Sequence, residues 1–94
     1  MALIHQNVTV GTTPTLLVTI PNGVGYVAVS IQNRDTAAVY VGDASITAAS
    51  GANGGHLIAA TSGTLQLWLH GNETLYGISA AGTSTGAVSL IYSA

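Results

Sequence analysis

Charge is what this sequence has least of. One arginine, no lysine and three acidic residues are its whole complement across 94 residues, or 4%. Soluble domains ordinarily carry about 25%. A single cation cannot neutralise a run of phosphates, so nucleic acid is excluded as a partner, and an anionic membrane surface by the same arithmetic. Cysteine is absent, which rules out disulfides and thiolate metal sites. That absence fits an intracellular or virion origin better than a small secreted scaffold. Long apolar runs are missing too, far short of the ~18–20 residues a spanning helix needs. Eight membrane strands of ~9–11 residues would consume the whole chain, so a transmembrane barrel is not expected. No basic region followed by an apolar stretch opens the chain, so no secretory signal is expected.

What remains is 48% hydrophobic residues and a surface that must be Thr, Ser, Asn, Gln, Gly and Ala. Such a surface has little charge repulsion to keep copies apart. A chain of this length also buries only about 60–65% of its unfolded surface, so it is thinly stabilised alone. Both points describe a single small domain built to associate.

Caps and a 3.6-residue period are lacking, whereas alternation of apolar and polar residues is everywhere. About eight strands are expected, over 3–10, 15–21, 25–32, 38–42, 56–60, 64–70, 74–80 and 87–93. Inward faces are assigned to Ile4, Val8 and Val10; to Leu16, Val18 and Ile20; to Val27, Val29 and Ile31; to Val39 and Val41; and to Leu65, Leu67 and Leu69. "PNG" at 21–23 is a turn, and "DASITAASGANGG" is a Gly-rich loop. Short strands at this spacing predict a single all-β domain over 1–94, an antiparallel β-sandwich or jelly-roll-like fold.

No catalytic set is expected. His5, His56 and His70 are the available bases, and Asp35, Asp43 and Glu73 the acids, but no Gly-x-Ser-x-Gly elbow accompanies them. The plain reading of His70 and Glu73, which flank Gly71-Asn72, is a turn-end contact. The histidines lack close zinc spacing, Asp43 lacks the further acids of a calcium loop, and "GANGG" lacks the lysine of a phosphate loop. No cofactor and no metal is expected.

Candidate association residues are clearer. Trp68 lies on the polar face of its strand between Gln66 and His70. An outward aromatic with a polar edge is an interface anchor; the alternative is an inverted register with Trp68 in the core. Tyr26 and Tyr40 follow the same logic. Arg34 and Asp35 sit at a turn and have two readings. One is turn solubility. The other is a specific pairing of Arg34 with Asp35, Asp43 or Glu73, within the chain or across a subunit boundary.

The stretches "IQNRDTAAVYVGDASITA", "GGHL", "TLQLWL", "GNETLYGISAAGT" and "AVSLIYS", over roughly residues 26–93, resemble small all-β virion proteins of tailed bacteriophages, of the head decoration and head-fibre type. The resemblance implies no enzyme and no catalytic residues. It implies a capsid decoration subunit on the outer head surface, made in the host cytoplasm, whose partner is the major capsid protein. A homo-oligomer is expected with it, a trimer being favoured because cyclic assemblies close. The competing expectation is a tail- or fibre-associated receptor- or glycan-binding module, with Trp68 stacking on a sugar and Gln66 and His70 as polar guides.

Overall fold

The computed structural model describes residues 2–48 and 53–93. Eight strands follow one another in it: β1 (Leu3–Val8), β2 (Thr15–Thr19), β3 (Val27–Asn33), β4 (Val39–Gly42), β5 (His56–Ile58), β6 (Gly63–Leu69), β7 (Thr74–Ile78) and β8 (Val88–Ser93). They form two four-stranded sheets, ordered β1-β8-β3-β6 and β2-β7-β4-β5.

The pairing is nested. β1 lies antiparallel to β8, β2 to β7, β3 to β6 and β4 to β5. The chain is thus one long hairpin with the β4–β5 arch at its tip, rolled so that alternate pairs enter opposite sheets. This is the jelly-roll arrangement of a β-sandwich. The shortest dimension is 17 Å, as two sheets about 10 Å apart with their outward side chains require.

The core is aliphatic. Val10, Ile20, Val29, Ile31, Val39, Ile58, Val88 and Leu90 are fully buried between the sheets. β-Branched residues dominate because their stiff side chains pack well on a pleated surface. Tyr92 is the buried ring, and its hydroxyl accepts from the Gln6 amide at 2.9 Å. The expected inward faces of β3 and β4 are the observed ones, and Leu65, Leu67 and Leu69 face inward on β6.

Two expectations need correction. Leu16 does not face the core. The β2–β7 register shifts between Leu16 and Val18, so Leu17 turns inward beside Val18 and Leu16 is half exposed. A bulge places two residues against one partner and breaks the alternation that assigned Leu16 inward. The first strand also ends at Val8. Val10 is buried from the following loop, where its N–H donates to Thr83 Oγ1 and its carbonyl accepts from Thr83 N. The arch after β4 is tied at its base: Ile46 is buried, and Thr47 N donates to the Asn53 carbonyl at 2.8 Å. Residues 49–52 of that arch lie outside the described residues.

Candidate functional site

The outward face of the β1-β8-β3-β6 sheet gathers most of the expected association residues. Strand alternation turns Ala28, Ser30 and Gln32 outward on β3, Gln66 and Trp68 on β6, Ser89 and Ile91 on β8, and Leu3, His5 and Asn7 on β1. None of them is Asp, Glu, Lys or Arg. Trp68 is 69% exposed, so the inverted register is excluded by the half-buried leucines on the opposite side of the same strand.

The register explains the shape of this face. Trp68 is paired with Ala28, and Ser30 with both Gln66 and Ile91. Small residues on the central strand therefore lie between larger ones on its neighbours. The result is a trough of about 380 Å³ with Ala28 and Ser30 as its floor and Trp68, Gln66 and Ile91 as its walls. Two strand spacings separate the walls, about 10 Å between backbones. His5 extends the row, opposite Ile91 and bonded through Nε2 to Ser89 Oγ at 3.1 Å.

Tyr26 and His70 border the Trp68 end. Tyr26 is 71% exposed, and its ring meets His70 edge-on at 4.9 Å between centroids, a favoured geometry for two rings. The turn that carries His70 is held by Glu73, whose Oε1 accepts the His70 backbone N–H while Glu73 N donates to the His70 carbonyl. The expected turn-end contact of His70 and Glu73 is thus made through the backbone of His70.

The structure separates the remaining candidates. Tyr40 is half buried on the other sheet, paired with Leu57 and Ile78, and does not share a face with Trp68. Arg34 is exposed at the far end of β3. Its expected partners are engaged elsewhere, and no ion pair involves it among the described residues. Asp43 accepts from the Ser45 hydroxyl and N–H, and Glu73 closes the β6–β7 turn.

Asp35 is a correction of another kind. It is 8% exposed, so it does not stand on an association face. Oδ1 accepts Ser84 N and Oδ2 accepts Ala37 N, both at 3.1 Å, pinning the β3–β4 turn to the β7–β8 loop. The Ser84 bond and then the Ala37 bond hold its carboxyl below the ordinary value of 3.8, with burial opposing them. Because the folded value is the depressed one, the stabilisation is complete above the ordinary carboxylate range and is lost as pH falls through the folded value. Asp35→Asn is therefore expected to flatten the acid limb of a pH–melting profile; an acid limb unchanged from the wild type would refute that assignment.

Ile91, Leu3 and Ser30 complete the face and were not singled out by the sequence. "LIY" in the last strand is a continuous apolar run, so alternation does not say which of Leu90, Ile91 and Tyr92 is outward. The three histidines lie on β1, on β5 and after β6, and no group of three or more metal-capable side chains converges among the described residues. No family model, curated protein or solved structure matches this chain.

Proposed function

We propose that this protein is a phage virion structural protein, a capsid decoration subunit. It binds the outer surface of the head and stabilises the shell by bridging copies of the major capsid protein. The observation that carries the reading is the uncharged outer face of the β1-β8-β3-β6 sheet, with Trp68, Tyr26, Leu3 and Ile91 exposed on it. Four large apolar side chains on one small face are what a protein partner covers. The resemblance of residues 26–93 to decoration and head-fibre proteins supports the reading, and jelly rolls serve in capsid and lectin domains alike, which is an analogy of fold only. Burial of the face on the shell supplies association free energy that opposes outward pressure.

Co-sedimentation with empty heads from a panel of tailed phages tests the proposal. The wild type is expected to pellet with heads of one type, with the Trp68 emission shifting to the blue. Trp68→Ala is expected to weaken that binding roughly thirtyfold, as loss of a buried aromatic anchor costs about 2 kcal/mol. Absence of binding to every head, or equal binding by Trp68→Ala, would overturn it.

The trough favours one second reading, a glycan-binding module of a tail or fibre. Trp68 offers a ring for stacking, and Gln66 and Ser30 offer an amide and a hydroxyl beside it. A neutral-glycan array separates the two, since that module is expected to retain a sugar in the absence of any head.

A further inference from the structure

β6 is an edge strand with little to protect it. It pairs with β3 through all of Gly63–Leu69 and, among the described residues, with no strand on its other side. The ladder has no register shift, and "GTLQLWL" holds no proline and no charge. Native edges are normally blunted by one of these devices. Of the other edges β2 has its bulge and β5 is only three residues long, whereas β1 is as plain as β6. Beside β6 the sandwich is also incompletely closed. An apolar cleft of about 280 Å³, lined by Val41, Gly42, His56, Leu65, Leu67 and Leu75, opens between the sheets, and Leu65 and Leu67 remain half buried.

The strand is complementary to itself. Antiparallel pairing of two copies about Gln66 sets Gln66 against Gln66, Leu65 against Leu67 and Thr64 against Trp68. The leucines of both copies then meet on the inward side, over the mouths of both clefts. The charges at the ends of the strand agree with the same register. Gly63 pairs with Asn33, so Arg34 lies beside Ser62 at one end; Glu73 holds His70 at the other. Two-fold pairing brings Ser62 of one copy opposite His70 of the next. Arg34 then stands about two strand spacings, ~10 Å between backbones, from the turn that carries Glu73. Among the described residues Glu73 uses only Oε1, and Arg34 has no ion pair.

We infer that β6 pairs with β6 of a second copy around a two-fold axis at Gln66, giving a continuous eight-stranded sheet with Arg34 of each copy directed to Glu73 of the other. The dimer is two-fold symmetric, where the sequence favoured a trimer. It also sets the two Trp68 faces side by side on one surface. The inference does not depend on the capsid reading, because it concerns the pure protein.

Sedimentation equilibrium over about a thousandfold dilution tests it. The wild type is expected to dissociate from dimer to monomer. Gln66→Lys and Gln66→Glu each place like charges on the axis and are expected to weaken the dimer about fivefold, while an equimolar mixture of the two variants restores it. Gln66 is exposed and outward, so both variants are expected to melt as the wild type does when diluted to monomer. Arg34→Ala is expected to weaken the dimer about fivefold through its two symmetric pairs. A wild type monomeric throughout overturns the inference. So does an oligomer indifferent to the Gln66 variants, or a mixture that fails to recover.

Discussion

Asn33→Ala is expected to lower the unfolding free energy by about 3 kcal/mol, a loss as large as that from truncating a core aliphatic side chain. Asn33 ends β3 and is fully buried. Its amide nitrogen donates to the carbonyls of Ala37, Ile58 and Ala59 at 2.9, 3.2 and 3.3 Å. Its Oδ1 accepts Asp35 N at 3.0 Å. One side chain thereby satisfies the β3–β4 turn and the end of β5, and its own carbonyl accepts Ser62 N from the β5–β6 turn. Alanine leaves the buried Ile58 carbonyl and Asp35 N–H without this partner, and removes the bonds to the part-buried carbonyls of Ala37 and Ala59 as well. For a domain of this size the loss corresponds to roughly 12–24 °C in melting temperature. Asn33→Asp keeps the acceptor but sets a carboxylate against carbonyl oxygens, so it is expected to be no better than alanine. A fall of under about 1 kcal/mol in urea unfolding of Asn33→Ala would show that the amide is not a hub.

Gly63→Ala is the second large effect. Gly63 opens β6 where the chain turns from one sheet to the other through Ala59–Ser62. A Cβ there would lie 2.3 Å from the Ala59 carbonyl oxygen and 2.8 Å from the Ala59 nitrogen. Both are backbone atoms, which cannot swing aside as a side chain does. Thr61 and Ser62 are already held at positive φ, 56° and 74°, where non-glycine residues are strained, so the corner has no spare freedom to absorb the contact. A loss of about 3 kcal/mol is expected. Gly25 is the control, since a Cβ at that position meets nothing within 4 Å among the described residues; Gly25→Ala is expected to change stability by less than about 0.5 kcal/mol. Equal melting of the two variants would refute the steric account. Because Gly63 sets the start of β6, a Gly63→Ala chain that still folds is also expected to dimerise less well and to present Trp68 less regularly.

The two substitutions fall on residues of very different visibility. Gly63 belongs to "TSG", which any reading of turn chemistry marks as a corner. Nothing in the sequence marks Asn33 as more than a strand-ending polar residue, because two of its four side-chain partners, Ile58 and Ala59, lie 25 and 26 residues away and reach it only in the folded state. Asp35 has the same history. The turn was visible, and so was the possibility of a pair with Arg34, but the bond that matters most to its carboxyl comes from Ser84, 49 residues away. Leu16 and Leu17 show another limit. Two adjacent leucines fit either phase of an alternating strand, and the bulge that admits Leu17 to the core is a response to β7.

What the sequence determined by itself was the number of strands, their approximate bounds, the outward placement of Trp68, Gln66 and Tyr26, and a surface almost free of charge. All of these follow from period-two alternation and from composition, which act over a few residues and need no partner. Only the tertiary structure decided that the strands nest as one rolled hairpin. It separated Tyr40 from Trp68, added Ile91 and Leu3 to the same face, buried Asp35, and left β6 as an open edge with Arg34 and Glu73 at its two ends. Those outcomes depend on which strands become neighbours, and neighbours are chosen by packing between residues far apart in the chain, where alternation carries no information.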